Sequence, residues 1–231
     1  MRSRRSAIPG GGHNEGVARL VLATALILAA LAPAAGAMPQ QEPLPPSAPV
    51  PEIAYRESIP VGVWWAGKLR RGVQLPAEGP DWFTWDPVLK RTPDRGWRRW
   101  GTDRLVRTLV GVIADHRLAN PLAPRVGIGD LSRRHGGEFG VRFGGLGHGS
   151  HQNGLDADVY YPRNDGLERR AHRPSQVDQL LAQDLLDRFV AAGARVIYVG
   201  PSLRLEGPRK VVVPLVHHDD HMHVRLQLAP G

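Results

Sequence analysis

From His221 to Leu226 the chain reads His-Met-His-Val-Arg-Leu, and no other segment restricts the fold so tightly. In an extended strand successive side chains point to opposite faces, so His221, His223 and Arg225 share one face and Met222, Val224 and Leu226 the other. One face packs on an apolar core, while the other turns two imidazoles toward something polar. The elements around this strand (residues 221–228) supply the core. Residues 103–118 read as a helix: Thr102 can cap it, and Leu105, Leu109, Val112 and Ile113 fall on one side. Residues 176–192 read as the clearest helix, with Ser175 as cap, Asp178 three residues on, Leu181, Leu185 and Phe189 on its apolar face and Gly193 at its end. Val126–Ile128, Arg195–Val199 and Lys210–Val213 are β-branched clusters that read as strands. Helices and strands mix without a regular βαβ rhythm, which favours an α+β fold around a central antiparallel sheet.

The first 37 residues belong to a different kind of segment. Basic residues precede an apolar run from Leu20 to Leu31, then Pro33, then Ala35-Gly36-Ala37. This is the pattern of an export signal cleaved before Met38, and the apolar run is shorter than the roughly 20 residues a membrane span requires. Residues 38–54 are Pro-rich and without periodicity, an extended linker, and residues 55–231 form the folded domain. The expected location is the periplasm, cell wall or outside, with no membrane attachment after cleavage. The formal net charge is +8; removing Arg2, Arg4, Arg5 and Arg19 against Glu15 takes off three and leaves +5. A basic surface suits a polyanionic partner such as an acidic wall polymer, and equally an arginine-rich soluble protein. No nucleic-acid-binding motif is present. All six tryptophans fall between residues 55 and 101; they are expected to close a core, with Trp64, Trp65 or Trp82 as candidates for lining a groove instead.

There is no cysteine, so a metal site has only His, Asp and Glu to draw on. Of the ten histidines, six sit in two short clusters, His148 and His151 within residues 147–158, and His217, His218, His221 and His223. Gly154 permits a tight turn between His151 and Asp158, so that both side chains can converge on one ion. Two imidazoles and one carboxylate suit catalytic zinc, since three protein ligands leave a fourth position for water. Zinc brings the pKa of that water to near neutrality and polarises a carbonyl, and a neighbouring free histidine can move its proton. Taken singly, each histidine is more often structural, and Asp219-Asp220 reads as readily as a solvated turn. Together the clusters complete a His, Asp, His set with a spare His.

At these residues the sequence resembles the penicillin-insensitive murein endopeptidases, a branch of the wider group of lysostaphin-like enzymes, D-alanyl-D-alanine carboxypeptidases and the hedgehog signalling domain. The shared pattern is His-x6-Asp followed far downstream by His-x-His, here His151 to Asp158 and then His221-Met222-His223. The stretches GHGSHQNGLDADV and DHMHVRL, with Gly67-Lys68-Leu69, Leu75-Pro76, Ile128-Gly129-Asp130-Leu131-Ser132 and Gly136-Gly137 upstream, resemble the murein endopeptidase branch in particular. The resemblance covers residues 55–230 and implies that His151, Asp158 and His223 bind Zn2+. It makes His221 the unligated catalytic histidine and His218 a second active-site histidine. His148 would stand beside the metal, able to ligate an extra ion, and Asp156 would orient a ligand or Arg225, or equally serve only as a turn aspartate. His217 departs from the pattern and is expected to point away. The implied reaction is hydrolysis of D-alanyl–diamino acid cross-links in peptidoglycan. The alternatives are a carboxypeptidase or dipeptidase of the same group and a non-catalytic, zinc-stabilised wall-binding module.

Overall fold

The computed structural model describes residues 49–141 and 148–228. The segment expected to be an export signal, residues 1–37, and most of the expected linker lie outside the described residues. In chain order the elements are β1 (Ile59–Val63), β2 (Ala66–Arg70), β3 (Val73–Gln74), β4 (Trp82–Thr84), β5 (Trp100–Gly101), α1 (Asp103–Ala119), β6 (Val126–Ile128), β7 (Asp156–Tyr160), α2 (Gln179–Ala191), β8 (Ala194–Val199), β9 (Val212–Pro214) and β10 (His221–Leu226). Six strands form one sheet in the order β4-β6-β7-β10-β8-β9, with β1-β2 and β3-β5 as separate two-stranded ribbons. The fold is α+β, as the sequence implied. Among the described residues, no helix is long and apolar enough to cross a membrane.

β10 sits between β7 and β8, antiparallel to both. Its apolar face behaves as the alternation requires: Met222, Val224 and Leu226 are fully buried, in one cluster with Leu105, Leu109 and Ile113 of α1 and Leu185 and Phe189 of α2. Burying each of these large side chains contributes about 1.5–3 kcal/mol, which fixes the register, because a slip of one residue would drive His221, His223 and Arg225 into the core. The cross-strand pairs Tyr160–His221, Asp158–His223–Tyr198 and Asp156–Arg225–Val196 therefore lie together on the other, polar face.

Three expectations need correction. The sheet is antiparallel only through its four central strands; β4 pairs with β6 and β8 with β9 in parallel, each edge strand being three residues long, too short to show a period. The second helix begins at Gln179, not 176: Pro174–Gln176 is a separate 3-10 turn, and Asp178 is the cap, its carboxylate accepting from the Leu180 and Leu181 amides. Asp156–Tyr160, read only as the far side of a turn, is a strand. The first helix matches closely, with Thr102 accepting from the Leu105 amide.

Candidate metal centre

The polar face of the sheet carries the two histidine clusters to one place. Asp158 on β7 is the common neighbour: its Oδ1 lies 3.3 Å from His151 Nε2, 3.1 Å from His223 Nδ1 and 3.7 Å from His221 Nε2. His148 Nε2 is 3.8 Å from the other oxygen, Oδ2. Ligand atoms of His148, His151 and Asp158 all fall within 4.8 Å of one another, and His223 joins them through Asp158. The edge of a tetrahedron built on metal–ligand bonds of 2.0–2.1 Å is about 3.3–3.4 Å, close to the two shortest of these separations.

Each ring is oriented by its second nitrogen. His151 donates from Nδ1 to the Leu131 carbonyl at 2.5 Å, which leaves Nε2 as a lone pair, fully buried and without a hydrogen bond, facing Asp158. His223 turns Nε2 to Asp156 Oδ1 at 2.8 Å and Nδ1 to Asp158. Asp156 also accepts from Arg225 Nε at 2.6 Å. This carboxylate–imidazole arrangement is the one that metal-binding histidines use to fix their ring. An orphaned buried imidazole nitrogen beside a buried carboxylate and a second, carboxylate-backed imidazole is a donor set that fits a divalent transition metal.

The charges agree with that fit. Burial opposes ionisation of Asp158, but the surrounding His151 and His221 outweigh it and hold the carboxyl well below its usual range. Burial also opposes charge on His223, yet its bonds to Asp156 and Asp158 push it up to about 9. Burial depresses His151, only partly offset by Asp158. A cation bound here would displace the His223 proton, so its affinity would fall as pH falls.

The backbone that holds these groups is unusual. His151 has φ 66°, a left-handed conformation costly for a residue with a Cβ and, where it persists, a pointer to function. It is pinned on its C-terminal side, where the Gln152 amide donates to the Trp64 carbonyl and the Gln152 carbonyl accepts from the Gly137 amide. Gly136, also left-handed, makes that approach possible: a Cβ there would stand 2.2 Å from the Gln152 carbonyl oxygen. Gly154 has φ +77°, the turn expected of it, and a Cβ would meet the Leu69 side chain at 2.9 Å.

The other expected residues surround the cluster. His221 bonds through Nδ1 to Asp220 Oδ1 at 2.7 Å, and Asp220 is held by Arg170 at 2.9 Å. The His218 ring is 4.9 Å from that of His221, its Nδ1 on the Val216 carbonyl, and burial lowers its pKa. His217 is exposed, with left-handed backbone. Of the tryptophans, Trp82 is core, whereas Trp64 stacks on Arg225 with the guanidinium 4.0 Å from the ring centre.

Sequence reasoning gave no role to Asp130, Arg98, Asp220 or Arg170. Asp130 accepts from His148 Nε2 at 2.6 Å and pairs with the fully buried Arg98, while its backbone carbonyl accepts from the Asp158 amide. The stretch Gly129–Leu131 thereby fastens His148, His151 and Asp158 at once. A second acid, Asp94, lies 3.7 Å from Arg98. Burial and the Asp130 charge push its carboxyl up to about 8. Between its ordinary value near 4 and 8 the folded protein keeps a proton that the unfolded chain releases, so this group lowers stability as pH rises through that window. In Asp94→Asn that slope disappears. Thermal melts of both proteins from pH 4 to 8.5 are expected to show the variant's melting temperature gaining on the wild type as pH rises; a constant difference would contradict the assignment.

The model of the penicillin-insensitive murein endopeptidase family matches residues 60–194, more than half the chain, spanning His148, His151 and Asp158 and ending before β10. A protein of Yersinia enterocolitica named penicillin-insensitive murein endopeptidase is 26% identical over 232 aligned positions, covering 89% of this chain and 77% of its own length. With the family's match running across the strand, the loop and the first histidine cluster that build the centre, this chain belongs to the penicillin-insensitive murein endopeptidase family.

Proposed function

We propose that the protein is an exported zinc endopeptidase that hydrolyses D-alanyl–diamino acid cross-links in peptidoglycan. The observation that carries the reading is the convergence of His151 Nε2 and His223 Nδ1 on Asp158 Oδ1 at 3.3 and 3.1 Å, with the His151 nitrogen otherwise orphaned. These three are the ligands. His148 is less suited to the same task, because its Nε2 is already engaged by Asp130; it stands beside the metal. The ligand pattern is that of the lysostaphin, D-alanyl-D-alanine carboxypeptidase and hedgehog group. Zinc bound there supplies an electrophile for the scissile carbonyl and acidifies water.

The chain's own residues supply the proton traffic. His221 donates a hydrogen bond from Nδ1–H to the Asp220 carboxylate, itself held by Arg170, which leaves Nε2 as the basic nitrogen. It faces the Asp158 side of the cluster at 3.7 Å, takes a proton from the attacking water and returns it to the leaving amine. His218, kept neutral by burial and bonded through Nδ1 to Val216, offers Nε2 to hold that water. No step uses a serine, so a β-lactam has no nucleophile to acylate.

Digestion of purified sacculi with zinc-loaded protein, followed by mass spectrometry, is expected to remove cross-linked dimers while terminal D-alanine is retained. Loss of terminal D-alanine alone would make the enzyme a carboxypeptidase, and no turnover would leave a wall-binding module. Chelation is expected to abolish cleavage and lower the melting temperature together, because His223 and Asp158 lie 65 residues apart and a shared ion cross-links them. Full cleavage by metal-free protein would exclude zinc.

A further inference from the structure

The polar face of the sheet does not end at the metal centre. Beyond His223, along β10 and β8, it opens into a cavity of about 560 Å³ whose walls include Trp64, Tyr198, Arg225, Arg195 and Lys210. Tyr198 and Arg225 are the link between the two regions: the Tyr198 ring lies 5.7 Å from that of His223, and Arg225 Nη2 lies 3.3 Å from His223 Nε2. Among the described residues, the lining holds three cations and no acid. Asp156 neutralises Arg225 from behind. Arg195 and Lys210, both exposed, have no carboxylate partner among the described residues. The cavity is thus left with two uncompensated positive charges beside an aromatic wall, where Trp64 is 37% exposed although it stacks on Arg225.

We propose that this cavity is a substrate subsite that binds a free carboxylate of the stem peptide, one or two residues from the scissile amide. The spacing follows from the strand. Two residues of β10 separate His223 from Arg225, about 7 Å at the rise of an extended chain, and a peptide lying along the sheet's polar face with its amide at the metal centre extends one or two residues into the cavity. There Arg195 and Lys210 meet its carboxylate, and the faces of Trp64 and Tyr198 cover the intervening aliphatic segment. A guanidinium and an ammonium are suited to carboxylate recognition by charge-assisted hydrogen bonds, and the exposed Trp64 is then explained by the ligand it covers. Selection of an anionic peptide at a fixed distance from the cut would bias the enzyme toward wall peptide with unmodified carboxylates. This subsite rests on the endopeptidase reading for the identity of the peptide.

The test is a binding cycle that needs no turnover. Two synthetic cross-linked peptide dimers, one with free carboxylates and one with all of them amidated, are titrated by calorimetry into the zinc-loaded His221→Ala protein and into the same protein carrying Arg195→Gln and Lys210→Gln. Both added substitutions are on exposed side chains, and matched melting temperatures check the fold. Amidation is expected to weaken binding on the order of tenfold with the cations present and to have no effect without them, and raising the salt is expected to weaken only the binding of the free acid to the protein that retains both cations. Equal amidation penalties in both proteins, or an unchanged dissociation constant for the free acid after the double substitution, would overturn the subsite. Cleavage of the same dimers by the wild-type protein is scored separately: its absence sinks the endopeptidase reading, while the binding cycle still decides whether the cavity takes carboxylates.

Discussion

His223→Ala is expected to lose bound zinc and activity together, whereas His221→Ala is expected to keep its zinc and lose turnover by about 10²–10⁴-fold, the range typical of a removed general acid–base group. The two histidines are two residues apart on one strand face, and the contrast comes entirely from what their nitrogens meet. His223 is buried and fixed between Asp156 and Asp158, with Nδ1 directed at the carboxylate shared with His151. His221 is only half-buried, and its Nδ1 is spent on Asp220 rather than on a metal-facing group. Removing it leaves His151, Asp158 and His223 untouched, so the metal content of the purified variant stays at the wild-type level. KM on a cross-linked dimer changes little, because the lost step is proton transfer and not binding. Elemental analysis beside turnover measurements on the two purified variants decides the matter. A His221 variant without zinc and a His223 variant with it would reverse the roles.

The legible parts of this molecule are those with an unbroken period. β10 alternates over six residues and α1 carries a clean apolar stripe, so both could be read directly, and with them the face that presents His221, His223 and Arg225. β7 could not, because all five of its residues are buried and two are aspartates, which strands ordinarily disfavour. The burial that hides the pattern is the same burial that suits Asp158 to its proposed role as a ligand. The residues behind the centre were hidden for a different reason. Asp219-Asp220 reads as a solvated turn, yet Asp219 caps the backbone at Ser202 while Asp220 bridges Arg170 and His221. The outer helix boundary was lost to competition between two capping candidates: Ser175 fits the capping pattern, but Pro174 starts a short 3-10 turn, and the chain reaches helical geometry only after Asp178. Parallel pairing at the sheet edges depends on contacts between segments more than ten residues apart, for which three-residue strands contain no local signal.

Arg98 was the least legible residue of all, since it lies in the run Arg-Gly-Trp-Arg-Arg-Trp, which by composition is a solvated basic loop. In the fold it is fully buried, paired with Asp130, 3.7 Å from Asp94 and packed with its guanidinium 4.9 Å from the Trp97 ring centre and 5.0 Å from that of Phe139. Arg98→Met keeps much of the volume and removes the charge. What remains is the buried Asp130 carboxylate with His148 as its compensating side chain. Breaking a buried pair from one side costs about 3–5 kcal/mol, because the partner's charge is left without its counter-ion. At about 2–4 °C of melting temperature per kcal/mol for a domain of this size, the loss should be on the order of 10 °C. The effect should also reach the metal. Asp130 fixes His148 through its side chain and Asp158 through its backbone carbonyl, and the next carbonyl, of Leu131, fixes His151. Zinc affinity is therefore expected to fall with stability in Arg98→Met, an effect carried to the proposed ligands through Asp130 and Leu131. Adding Asp130→Asn to the same chain removes the stranded charge and keeps the backbone carbonyls, so most of the lost stability should return. Denaturant titrations of the single and double variants measure this directly. A cost below about 1 kcal/mol for Arg98→Met, or no recovery in the double variant, would mean that the buried charge pair does not hold the centre in place.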